Sequence, residues 1–276
     1  MTTAAVPHPT RPSNGDLARQ VAVGLGAVVA IVVAFIGSGV VVGTPIADAA
    51  GGALSADATP VAPGTSAFRI WSVIYTGLLA LAVFQALPAR RTDPRQRSVG
   101  LLVLASLVLN AVWILCTQAG WVAATVPVIV ALLAVLVVTW ARLVRSAPTS
   151  WVEAVLVDGT IGLYLGWVSI ATVANVAAFG VDAGASATGP VATGAAVTVL
   201  VVAAGIGVFL AVVGRGRLAP GAALTWGLAW IAVGRTDGGL ENGTVAVVAA
   251  LAAAVVAATT ATARFRAGRA TRVGTV

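Results

Sequence analysis

Apolar runs long enough to cross a bilayer recur along almost the whole of this chain. Residues 21–42 carry no charge, and a transmembrane helix needs roughly 20 mostly apolar residues to cross about 30 Å of hydrocarbon. Comparable runs lie at 70–87, 100–116, 122–143, 155–179, 191–213, 219–233 and 245–263. They are continuous and rich in Ala and Leu. Barrel strands would instead be about 10 residues long and alternate with period 2. A helix also satisfies its own backbone polar groups in lipid. The predicted fold is all-α, a polytopic transmembrane bundle of about eight helices. Composition agrees: 9% of residues are charged and mean hydropathy is +1.01, against about 25% charged in a soluble domain. Lipid must be the solvent.

The net charge of +7 would suit nucleic acid, but its placement argues for a membrane. Every basic residue is an arginine, and 14 of the 16 fall in alternate loops or at the termini. Arg11 and Arg19 precede the first helix, Arg90, Arg91, Arg95 and Arg97 separate the second from the third, and Arg142 and Arg145 close the fourth. Arg215 and Arg217 follow the sixth, and Arg264, Arg266, Arg269 and Arg272 fill the tail. The opposite loops hold Arg69 and Arg235 with Asp48, Asp57, Asp182, Asp237 and Glu241. This is the positive-inside pattern, which predicts cytoplasmic N- and C-termini; the helical build favours a cell (inner) membrane. It also requires the short run at 219–233, about 22 Å as a helix. Pro220 suits its first turn.

Four segments are expected: a disordered head at 1–19, a five-helix unit at 20–180, a further three-helix region at 181–263, and a basic tail at 264–276. The shift in character follows the Gly/Ala/Ser linker at 181–190. Helices two to five, joined by short links, are expected to pack as antiparallel neighbours. Gly43 to Ser66 is a long Pro/Gly-containing connection on the outer side, the kind of loop that more often carries function. Arg11 and Arg19 with Ala47-Asp48-Ala49 resemble a signal peptide, but about 22 apolar residues exceed the usual 7–15. A retained helix is expected.

Inventory excludes several chemistries. Cys116 is the only cysteine and His8 the only histidine, so a His/Cys metal site and an intrachain disulfide have no ligands or partner. No phosphate-binding loop is present, and acid–base or nucleophilic pairs are lacking. The chain is not expected to be an enzyme.

Polar and aromatic side chains inside the spans are few and therefore informative. Asn110 and Trp113 share a face of the third helix, and Trp71 and Tyr75 lie four apart on the second. In the fifth, Tyr164, Trp167, Ala171 and Asn175 fall within about 80° of arc at 100° per residue. Interfacial anchoring and interhelical hydrogen bonding would explain such residues. So would an apolar pocket with aromatic walls and a few polar anchors. The residue pattern leaves the two readings level.

The motifs themselves resemble a known family. Pro63-Gly64 followed by Phe68-Arg69-Ile70-Trp71-Ser72-Val73-Ile74-Tyr75 resembles the loop-to-second-helix signature of the TspO/MBR family, the tryptophan-rich sensory or translocator proteins. Leu109-Asn110-Ala111-Val112-Trp113 is similar to its third-helix motif, and the run from Tyr164 through Trp167 and Ala171 to Asn175 to its fifth-helix motif. Leu163 stands where that family usually has proline, and no acidic residue lies near Pro127.

The resemblance covers roughly 20–180 and implies a five-helix bundle, often a homodimer, with the first loop capping a pocket for a porphyrin, haem-like tetrapyrrole or sterol-like molecule. By position, Trp71, Tyr75, Asn110, Trp113, Tyr164, Trp167 and Asn175 would line or support it. The expected partners are thus the lipid bilayer and a hydrophobic small-molecule ligand, with no nucleic acid and no resident cofactor. The alternative is a multi-pass transporter or permease for a small hydrophobic solute. Against it stand the lack of a carboxylate or arginine at the membrane midplane and of an internal repeat. Asp158 is expected near the inner headgroups.

Overall fold

The computed structural model describes residues 12–37, 44–46, 48–237 and 239–273. These form eight main helices: α1 (Asn14–Gly37), α2 (Ile70–Ala86), α3 (Pro94–Gln118), α4 (Val122–Arg145), α5 (Trp151–Asp182), α6 (Gly189–Val213), α7 (Leu218–Gly234) and α8 (Gly243–Val273). Seven are long and apolar enough to cross a membrane; α7 is shorter. Its ends nevertheless reach opposite poles of the bundle. Arg217 bonds Asp158 and the Leu143 carbonyl at one pole, and Arg235 bonds the carbonyl of Thr59 at the other.

Helix limits follow from side chains that periodicity does not register. α1 starts at Asn14, inside the segment read as a disordered head, because Ser13 and Asp16 cap it reciprocally. The Asp16 amide donates to Ser13 Oγ, and the Ser13 amide donates to Asp16 Oδ2. Such a box satisfies amides that no earlier turn can reach. Arg97 pairs with Asp16 at 2.6 Å and ties that start to α3. Residues 1–11, with His8, lie outside the described residues. Asp93 caps α3 through the amides of Arg95 and Gln96, with Pro94 opening the helix. α8 runs on to Val273, so most of the basic tail is helical.

The first five helices close a ring in the order α1, α2, α5, α4, α3. α2 and α3 therefore flank α1 instead of lying against each other, contrary to the expectation from their short link. Bulky side chains hold the two apart around a cavity, and Tyr75 of α2 meets Asn110 of α3 across the gap. Short connections fix direction and pole; which flanks touch depends on side-chain volume.

Outside the ring, α7 packs on α5, α8 on α7, and α6 on α8. Glycines make the α5–α7 seam. A Cβ at Gly166 would stand 2.3 Å from the Pro220 carbonyl oxygen, and one at Gly162 2.8 Å from Ala219 Cβ. Only a bare Cα admits that approach.

The two poles differ as the charge tally requires. At the pole of Arg19, Arg90, Arg95, Arg97 and Arg217, Arg90 bonds Thr149 and Arg19 bonds the Arg91 carbonyl. At the other pole, Gln118 bonds the carbonyl of Thr44, and Leu240 donates to Asp57.

Candidate functional site

Buried and half-buried aromatics at the loop pole define the candidate site. Trp71 is its centre: it stacks on Tyr75 at 5.0 Å and 21°, and meets Tyr164 and Trp167 edge-on at 5.8 and 6.4 Å. Phe68 meets Trp167 edge-on at 5.7 Å. Offset and edge-on pairs suit the ring quadrupoles and fix ring orientation.

Hydrogen bonds lock the polar members. Asn110 Nδ2 donates to the Tyr75 hydroxyl at 2.9 Å, and Trp113 Nε1 donates to Asn175 Oδ1 at 3.1 Å. Asn175 Nδ2 donates to the Ala171 carbonyl, and the Tyr164 hydroxyl donates to the Ser106 carbonyl. The three that cross between helices, all but Asn175–Ala171, contribute about 1 kcal/mol each in lipid. The Trp167 indole N–H is buried with no partner among the described residues.

Two cavities adjoin this cluster. The larger, about 480 Å³, lies between α1, α2 and α3 and is walled by Ile31, Phe68, Trp71, Tyr75, Asn110 and Trp113. Ser72, Thr76 and Leu79 also line it and are exposed, so it opens along α2. The smaller, about 40 Å³, is bounded by Trp71, Asn110, Trp113, Trp167 and Asn175 beneath Leu54, Thr59 and Pro63 of the first loop. Trp71, Asn110, Trp113 and Phe68 face both, forming a septum. Among the described residues, no charged side chain lines either cavity.

Six of the seven residues singled out from sequence thus border a cavity. Tyr164 borders neither; it is fully buried behind Trp71. Phe68, Ile46 and the roof residues were not singled out. Phe68 stood within the quoted motif, so proximity to Trp71 was the available signal. Ile46, Leu54 and Thr59 lie in an irregular loop, where no period tells which side chains turn inward.

A second polar cluster, at the arginine pole, also went unread. Asp158 accepts from Arg95 Nη2 through both oxygens at 2.6 and 2.8 Å and from Arg217 Nε at 3.3 Å. Arg95 also pairs with Glu153 at 3.1 Å. Arg95, Glu153 and Asp158 are all buried. Asp158 is at the expected pole but enclosed by arginines, not headgroups. Two carboxylates and two guanidiniums balance the charge. Among the described residues no group of acidic, His or Cys side chains is arranged to hold a metal.

The loop over the smaller cavity is itself buried at residues 59–64. Its carbonyls therefore need internal donors. Arg235, 1% exposed, donates to the carbonyls of Thr59, Ala56 and Ala62. Burial pulls its guanidinium below the ordinary value, while Asp57 and Asp237 act in the opposite sense.

Comparison with known proteins adds one finding. A family model described as TSPO-like protein matches residues 24–262, most of the chain, including the three helices beyond the motif-bearing segment. No curated protein and no solved structure matches. The match and the helical membrane architecture agree, and the chain belongs to the TSPO-like family.

Proposed function

We propose that this protein binds a flat, hydrophobic small molecule, a tetrapyrrole or sterol-like compound, within its membrane-embedded bundle. The observation that carries the reading is the cavity of about 480 Å³ walled by Trp71, Tyr75, Asn110 and Trp113. Its volume suits a small-molecule site, which typically measures about 300–1,000 Å³. A planar ligand would lie against the Trp71 and Trp113 indoles, and Asn110 would fix a polar edge. Membership of the TSPO-like family supports the same reading. The role is binding, in sensing or translocation; the side chains around the cavity offer no nucleophile–base pair.

The test is tryptophan-fluorescence quenching of the detergent-purified protein titrated with protoporphyrin IX. Saturable quenching is expected, weakening at least about tenfold when Trp71, Trp167 and Asn110 are all replaced by Ala, since each lost contact contributes about 1 kcal/mol. Unchanged affinity in a folded triple variant would remove the site from these residues. A carrier for a small hydrophobic solute is the second reading, favoured by the exposed Ser72, Thr76 and Leu79 at the opening of the cavity. Solute uptake driven by an ion gradient in proteoliposomes would favour it over passive binding.

A further inference from the structure

We propose that Arg235, just beyond α7, is the positioning residue that holds the first loop closed over the smaller cavity, so that the C-terminal three helices fix the roof of a space walled by the first five. The roof is the first loop, whose Leu54, Ser55, Thr59, Ala62 and Pro63 cover the smaller cavity. Among the described residues, the hydrogen bonds that reach residues 53–64 from elsewhere in the chain all come from the C-terminal third. Arg235 donates to the carbonyls of Ala56, Thr59 and Ala62. Gly64 donates to the Trp230 carbonyl at 3.0 Å, and the Leu240 amide donates to Asp57 Oδ1.

The fit is steric as well as polar. A Cβ at Gly64 would come within 3.3 Å of the Trp230 ring, and one at Gly234 within 3.0 Å of the Gly64 nitrogen. Trp226, edge-on to Trp230 at 5.6 Å, donates from Nε1 to the Ala67 carbonyl and fixes the start of α2. The two tryptophans of α7 thus brace the roof at its hinge while Arg235 pins its span.

Arginine is the side chain such a latch requires. It offers five donors in a rigid fork and stays charged, so one residue can satisfy several carbonyls of a buried turn. Removing it takes a donor from all three carbonyls; Thr59 keeps the Ala62 amide, but the buried Ala62 carbonyl is left without one among the described residues, and the loop regains solvation by lifting away. The latch stands on the loop geometry and is independent of what the larger cavity binds.

Hydrogen–deuterium exchange of the full-length, ligand-free protein in detergent tests the latch directly. In Arg235→Ala, amides of residues 53–64 should exchange about tenfold faster or more, with those of α3 and α4 unchanged. Arg235→Lys should fall between, because one ammonium cannot span three carbonyls. Trp226→Phe should loosen residues 65–69 and leave 53–64 protected. Unchanged roof exchange in a folded Arg235→Ala overturns the latch. If that variant does not fold, unchanged roof exchange in Arg235→Lys overturns it.

Discussion

Trp113 and Trp167 make a useful pair because their rings are alike and their polar atoms are not. Both are buried and border the smaller cavity. Trp113 donates to Asn175, whereas the Trp167 N–H has no partner among the described residues. Replacing either by Phe removes similar volume and one indole N–H. In Trp113→Phe the Asn175 oxygen is left without its donor, which costs about 1–3 kcal/mol. In Trp167→Phe an unmet donor is removed, which offsets part of the lost packing. Trp113→Phe should therefore lower the melting temperature in detergent more than Trp167→Phe, and equal shifts would show that the Trp113–Asn175 bond contributes nothing. At the other pole, Arg95→Ala leaves Glu153 and Asp158 buried without the guanidinium they share. A loss of about 3–5 kcal/mol is expected for such a broken pair, read as a strong drop in melting temperature that Arg95→Lys, lacking the planar fork, restores only in part.

Helix α5 carries the most information among the elements. Its turn at Ala154–Gly159 is a π-helix. In an ideal α-helix, residues five apart are separated by about 140°. A π turn closes on the fifth residue, which brings Glu153 and Asp158 onto one face, where Arg95 reaches both. Two turns later the same helix presents Gly162 and Gly166 to α7, then Trp167, Ala171 and Asn175 to the smaller cavity. One helix thus joins the ion cluster, the seam to the C-terminal helices and the candidate site. Gly166→Val should force α5 and α7 apart, at a cost of about 1–3 kcal/mol or more. Because α7 braces the roof, that variant should also show faster amide exchange in residues 53–64. Destabilisation with a fully protected roof would mean that the seam and the roof are uncoupled. The apolar run of α5 and its Tyr/Trp/Asn stripe were legible from sequence. The π turn was not, since its signature is a pair of carboxylates on different α-helical faces.

For the molecule as a whole, the arginine-rich pole and the loop pole are the ends of one polytopic bundle. The positive-inside pattern predicts that the first faces the cytoplasm. In a Cys116→Ser background, a membrane-impermeant maleimide should label Ala185→Cys on intact cells and Ala147→Cys only after permeabilisation. Both positions are exposed, whereas Cys116 itself is buried. Labelling in the reverse order would invert the topology.

Hydropathy and charge by themselves determined the helical class, the number of helices and the pole at which each begins. Those properties are set within a segment, by the cost of exposing backbone or charge to hydrocarbon. The motifs pointed to Trp71, Asn110, Trp113 and Asn175, because polar and aromatic groups inside a span need partners. Tertiary structure alone decided which helices touch, and so that α2 and α3 stand apart around the aromatic cluster. It also decided that Arg95 and Arg235, counted from sequence as loop charges at opposite poles, are buried. One closes an ion cluster and the other holds the roof over the smaller cavity. A loop tally assigns a charge to a pole; whether that charge meets water or a buried carbonyl depends on the segments that fold against it, here more than a hundred residues away.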